Sequence, residues 1–250
     1  MKHWLRALAL LLPLALAACL FTPGKFDSTL TIHKDRTFTF TYKGEVVAID
    51  LKGLGDGMGD MKVTPHEDGD DKTEAKPEDG DAPEKTPAET AAEEARKKAA
   101  KDAEYRDLAV QLAKEAGYRS VEYRGDGLFY VDYAISGTLT HNFVYPFNED
   151  AAMVFPWVAI ELRGKDNVRV KAPGYAKQDT SQMGMGMPLG DQGEGASKLS
   201  GTFTLTTDAQ VISQNNEEGA ETVGSNTVIT WKVSPRTKDA PMAVLKVVGI

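Results

Sequence analysis

The sequence predicts an α+β fold: an antiparallel β-meander or sheet packed on one long helix, with a β-rich C-terminal half and a disordered acidic insertion. Three observations predict it. Apolar and polar residues alternate with period two from Leu30 almost to the C-terminus, a single helical stripe stands between residues 90 and 117, and an acidic run between them is nearly free of apolar side chains.

The first strands are read over residues 28–51. Leu30 and Ile32 alternate with threonines, Phe38, Phe40 and Tyr42 do the same, and His33-Lys34-Asp35-Arg36 supplies a polar turn between the two runs. From Gly53 the composition changes. His66 to Pro87 holds nine acids and three lysines, too little apolar surface to offset the entropy of ordering, so residues 62–90 are read as a disordered insertion. Glu67-Asp68-Gly69-Asp70-Asp71 lacks the ordered ligand spacing of an EF-hand loop and is read as solvated charge rather than a calcium site.

The helix is expected to open near Thr90 and to run to Gly117, a residue suited to the left-handed position after a helix end. Glu93 with Lys97 and Glu94 with Lys98 are favourable pairs four apart. Tyr105, Leu108, Ala109, Leu112 and Ala116 form the stripe that should pack on the sheet. Strand signals then continue over 121–123, 128–135, 138–145, 154–162, 168–171, 198–206, 227–233 and 243–248, separated by turns such as Gly125-Asp126-Gly127 and Gly164-Lys165-Asp166-Asn167. Residues 28–248 are therefore read as one domain interrupted by the insertion, with a second small β layer from the C-terminal half.

The N-terminus is of a different kind. Lys2, His3 and Arg6 precede an apolar run from Leu8 to Leu16, too short to span a bilayer as a helix. Leu16-Ala17-Ala18-Cys19 resembles the bacterial lipobox, and Cys19 is the one cysteine in 250 residues. The resemblance implies cleavage after residue 18 and a lipidated Cys19, bearing a diacylglyceryl thioether and an N-linked acyl chain such as palmitate. Residues 19–27 are then a tether spanning at most about 28 Å. Several acyl chains give durable anchoring where one does not. Leu20, rather than an aspartate, follows the cysteine, which by the same resemblance implies the periplasmic face of the outer membrane if the source is Gram-negative.

Cleavage leaves 27 basic against 37 acidic residues, a formal charge of about −10. That balance argues against nucleic acid or anionic headgroups as main partners. No catalytic, cofactor or metal constellation is recognised. His3, His33, His66 and His141 fall at no metal-ligand spacing, and there is no nucleophile elbow or phosphate loop. Met183, Met185 and Met187, with Met58 and Met61 in another glycine-rich stretch, could offer soft sulfur to Cu(I); a mobile contact loop is the simpler reading. Val154-Phe155-Pro156-Trp157 is read as core rather than as an exposed apolar loop.

From Asp27 to Val248 the chain resembles the LppM-type lipoprotein domain. The resemblance is carried by Thr29-Leu30-Thr31-Ile32-His33 through Phe38-Thr39-Phe40, by Ala209 to Ser213, and by Gly224-Ser225-Asn226-Thr227-Val228-Ile229-Thr230-Trp231. The long acidic insertion departs from a minimal version of such a domain. The resemblance implies a membrane-tethered α+β module handling lipid or envelope components, with no catalytic residues to carry over. The function expected is thus a non-enzymatic envelope lipoprotein that binds a lipid or a protein partner, through an apolar crevice between helix 105–116 and the sheet. Cu(I) handling is a second reading, and a hydrolase with an unrecognised site a third.

Overall fold

The computed structural model describes residues 20–49, 86–146, 156–177 and 198–249. Among these residues the chain forms twelve strands and one α-helix. Strands β1 (Leu20–Ile32) and β2 (Thr37–Ile49) form a long hairpin, and helix α1 (Pro87–Leu112) follows. Then come β3 (Tyr118–Gly125), β4 (Leu128–Thr138), β5 (Phe143–Tyr145), β6 (Val158–Arg163), β7 (Asn167–Lys171) and a single 3-10 turn, Pro173–Tyr175. The last are β8 (Ser200–Thr207), β9 (Gln210–Gln214), β10 (Glu221–Val223), β11 (Asn226–Val233) and β12 (Met242–Lys246). One sheet has the order β10-β11-β8-β1-β2-β4-β3 and the other β5-β6-β7-β12-β9.

The alternation predicted in β1 and β2 is what builds the core. Leu30 and Ile32 of β1, Phe40 and Tyr42 of β2, Phe203 and Leu205 of β8 and Ile229 of β11 are fully buried on one face of the larger sheet. Their neighbours Thr29, Thr31, Thr39, Thr41, Thr204, Thr206 and Thr230 line the other face in register. The smaller sheet packs on the buried face through rings. Tyr145 of β5 lies 5.6 Å from Tyr42, 4.6 Å from Tyr133 and 5.7 Å from Trp157, and Tyr175 of the 3-10 turn lies 4.3 Å from Phe26.

The structure corrects the sequence reading in four places. The sheet is mixed rather than antiparallel, because β1 pairs with β8 in parallel from Lys25↔Ser200 to Ile32↔Thr207. Residues 20–27 are not a free tether: β1 already begins at Leu20, opposite Ile49 of β2. The helix begins at Pro87 and not at Thr90, since Thr86 and Glu89 make a capping box that secures the first turn and Pro87 suits the first helical position. Residues 62–85 of the expected insertion lie outside the described residues. The helix ends at Leu112, short of Gly117, which adopts φ 92° in the turn that delivers Tyr118 to the sheet.

Of the two predicted helical pairs, Glu93–Lys97 forms at 2.9 Å. Lys98 instead reaches Asp126 in the β3–β4 turn, at 2.6 Å, because that turn lies beneath it. Tyr105 and Ala109 are the buried stripe residues, Leu108 and Leu112 are half-buried, and Ala116 is exposed in the turn beyond the helix.

Burial pushes the phenols of Tyr42 and Tyr145 well above their usual range, and that of Tyr118 up to about 12. An unfolded tyrosine ionises near pH 10, so the folded chain holds protons that the unfolded chain releases above that value. Stability is therefore expected to be fully present below about pH 10 and to fall as pH rises toward 12. A urea midpoint unchanged between pH 9 and 11.5, both approximate bounds, would contradict this burial. Gly201→Ala tests the β1–β8 contact: an added Cβ would lie 2.2 Å from the Phe26 carbonyl oxygen and 2.7 Å from its ring. A loss of about 2 kcal/mol or more in urea unfolding is expected.

Candidate functional site

Strand directions gather a defined set of chain segments at one end of the two sheets. β1, β4 and β8 begin there, and β2, β3 and β11 end there, because Leu20 pairs with Ile49, Val47 with Leu128, Lys25 with Ser200 and Gly201 with Val233. The smaller sheet is oriented alike. Trp157, just before β6, donates its indole N–H to the Phe21 carbonyl at 3.2 Å, and Tyr175, just after β7, stacks on Phe26. Cys19, which precedes Leu20 in the sequence, lies outside the described residues. The opposite end holds the β1–β2 turn and the C-terminal segment, where Val248 N–H donates to the Lys34 carbonyl at 2.7 Å.

The apolar crevice expected between helix 105–116 and the sheet is occupied by rings. Tyr105 packs at 5.6 Å from Tyr123 and 5.5 Å from Phe129, and Phe129 in turn meets Phe21 at 5.9 Å. The Tyr123 hydroxyl donates to Asp102 on the helix and accepts from the Gly127 N–H at 3.2 Å, which ties the helix to the β3–β4 turn. Desolvation, with the Asp102 hydrogen bond second, raises the Tyr123 phenol above its usual value.

The helix runs antiparallel to β3, and Lys98 already sits over the turn at the sheet's end. The eleven residues before it, Pro87–Lys97, are exposed apart from partial cover at Glu93 and extend the helix by about 16 Å.

The other sequence candidates are dispersed. Met58, Met61, Met183, Met185 and Met187 lie outside the described residues, as do His3 and His66. His33 sits in the β1–β2 turn with Nδ1 3.5 Å from Asp208, and exposed His141 approaches the Thr140 hydroxyl at 3.1 Å. No group of three His, Cys, Asp or Glu that could hold a metal occurs among the described residues. No described helix is long and apolar enough to cross a membrane. Of Val154-Phe155-Pro156-Trp157, read as core, Trp157 is buried against Tyr42 and Tyr145, Pro156 is half-buried, and Val154 and Phe155 lie outside the described residues. A shallow depression of about 470 Å³ opens at the far end, lined by His33, Phe38 and the hydroxyl side chains Thr37, Thr39, Ser136 and Thr138.

Sequence reasoning missed the charge of the Leu20 end. Lys25, Lys171, Lys177, Lys198, Arg236 and Lys238 converge there: Lys25 pairs with Ser200, two residues after Lys198, and the Lys177 N–H donates to the Thr237 carbonyl at 2.7 Å. Arg236 and Lys238 lie in the connection from β11 to β12, and Lys171 pairs with Met242 at its close. Carboxylates stand at the same end: Asp239, Glu45, which accepts from the Lys25 N–H at 3.2 Å, Asp27, which accepts from the Thr202 hydroxyl, Asp126, paired with Lys98, and Glu89, Glu93 and Glu94 on the helix. No sequence signal marks the cluster, since its members are spread over more than 200 positions.

No protein family model matches the chain, and no curated protein matches it. Among solved structures, the folded domain of the Mycobacterium tuberculosis LppM protein, determined by NMR, aligns with it at 18% identity and a TM-score of 0.30. The alignment covers 92% of this chain and 94% of that one.

Tyr105→Ala is expected to loosen the helix from the sheet, because it removes the ring that fills the interface. A loss of about 3 kcal/mol or more in urea unfolding is expected, with faster amide exchange in residues 98–112 than in β1. Unchanged exchange in the helix would mean that the ring cluster does not hold it.

Proposed function

We propose that this chain is a cell-envelope lipoprotein, anchored through lipidated Cys19, whose β-rich domain acts without catalysis by binding a lipid or an envelope protein at the anchored end. The observation that carries the reading is the start of β1 at Leu20, one residue after the lipobox cysteine. An anchor at Cys19 would be continuous with a strand that is paired with β2 from its first residue and with β8 from Lys25. With no free tether between them, the acyl chains would hold the end of the sheets at the membrane surface.

The location supports an external ligand rather than an enclosed one. Rings fill the space between the two sheets and beneath the helix, whereas chain segments and cations converge at the Leu20 end. In a Gram-negative source the periplasmic face of the outer membrane is the expected location.

The anchoring half of the reading is tested by intact mass spectrometry of the protein extracted from a bacterial host. The expected species begins at Cys19 and carries a diacylglyceryl group and an amide-linked acyl chain; an unmodified Cys19 would sink it. The binding half predicts a lipid adduct beyond the covalent acyl mass in native mass spectra, or a crosslinked envelope protein. Finding neither removes it.

A further inference from the structure

We infer that helix α1 is a hinged flap, which lifts from the larger sheet as an intact helix, about the turn at residues 113–116, and uncovers the aromatic surface beneath it. The inference does not rest on the anchored reading above. It goes beyond that reading by naming the part of the domain that moves.

The first observation is how the helix is held. Every described strand is joined to a neighbour by a ladder of backbone hydrogen bonds, whereas among the described residues no backbone hydrogen bond joins residues 86–114 to the rest of the fold. The bonds that close the helix are local: the Ala113 N–H donates to the Ala109 carbonyl at 3.1 Å, and the Lys114 N–H to that of Gln111 at 3.0 Å. Of the 26 helical residues, Tyr105 and Ala109 are buried, Glu93, Lys101, Asp102, Leu108 and Leu112 are partly covered, and the rest are exposed. An element docked by so little apolar area opens at a lower cost than the ring-filled core between the sheets.

The second is that the helix does not need the sheet in order to be a helix. At 26 residues it is well beyond the ~12–15 below which isolated helices are marginal. Eight of those residues are alanine, and the Thr86–Glu89 capping box, Pro87 and the Glu93–Lys97 pair secure its first turns. Undocking therefore costs the contacts and not the helical backbone.

The third is the pivot. Gly117 is fixed: its carbonyl accepts from the Ala134 N–H of β4 at 2.8 Å, and a Cβ there would lie 2.5 Å from the Tyr133 ring. Between this point and the helix end lie Ala113, Lys114, Glu115 and Ala116, all exposed. Rotation about them leaves the core undisturbed. Nearer the middle of the helix, Asp102 on the Tyr123 hydroxyl and Lys98 on Asp126 align it over the β3–β4 turn. Lifting takes Tyr105 off Tyr123 and Phe129, now 5.6 and 5.5 Å from it, and turns those two rings to water.

The test reads thiols introduced at buried alanines of the full chain, purified in detergent from a bacterial host. Ala109→Cys reports the docked face of the helix, and Ala243→Cys, in fully buried β12, reports opening of the core. Timed maleimide labelling followed by peptide mass spectrometry separates each position from Cys19. The thiol at position 109 should react at least about tenfold faster than that at 243. Tyr123→Phe, which removes the hydroxyl tie and keeps the ring, should speed labelling at 109 by about threefold or more, with no comparable change at 243. The double variant Tyr105→Ala/Ala109→Asp removes the ring and places a charge in the interface. It should keep both the far-ultraviolet helix signal and the thermal transition of the sheets.

Equal labelling at 109 and 243 overturns the proposal, since the helix then opens only with the core. Loss of the helix signal in the double variant overturns it too, because the helix would unfold rather than lift. Loss of the sheets' transition does the same by making the helix part of the core.

Discussion

The fold depends on a continuous seam of aromatic rings between its two sheets. Phe26, Phe40 and Tyr42 stand on the buried face of the larger sheet, and Tyr145, Trp157 and Tyr175 meet them from the smaller one. Aromatic side chains bury large areas and favour tilted or edge contacts beyond that burial. Here they act without covalent cross-links, because the chain has a single cysteine and so cannot form an internal disulfide. A volume filled by rings leaves little space between the sheets.

Much of this was legible because the alternation of β1 and β2 is strict. A strand with threonine at every second position and Phe, Leu or Tyr between them can bury only one face, so the core residues follow directly from the sequence. The neighbour of β1 did not follow. Period two states which face is buried and is silent about the direction of the next strand, and β8 reaches β1 through a connection of well over 100 residues. The start of β1 was hidden by Pro23-Gly24, which reads as a turn. In the structure Pro23 lies in the stretch where β1 has only β2 beside it, just before the register shift that precedes Phe26. Proline is tolerated at such a place because the strand is there an edge on its other side.

The helix shows the same division between local and tertiary information. Thr86-Pro87-Ala88-Glu89 is a complete start signal, written at the border of an acid-rich segment whose composition masked it. The stripe of Tyr105 and Ala109 was readable from spacing alone. That Lys98 chooses Asp126 over Glu94 was not, since only the packed helix brings the β3–β4 turn under that lysine. The candidate site was least legible of all, because cations from six positions between residues 25 and 238 come to one end of the fold only through the directions of the strands that carry them.

Net charge is a poor guide to such a surface. The formal balance of the chain includes the nine acids of residues 66–87, and the described residues that flank the acid-rich stretch, Ile49 and Thr86, stand at the Leu20 end. A membrane does not respond to the sum. It responds to the charges within about 10 Å of its surface at moderate salt, and which charges those are is decided by where the chain is tied. In the anchored reading Cys19 ties it at the start of β1, so the Leu20 end, with its mixture of cations and carboxylates, is the end that lipidation would bring to the bilayer. The same argument assigns the far end, with its His33–Asp208 pair and hydroxyl-lined depression, to the side turned away from the lipid. Strand polarity thus gives the molecule two chemically different ends before any partner is specified.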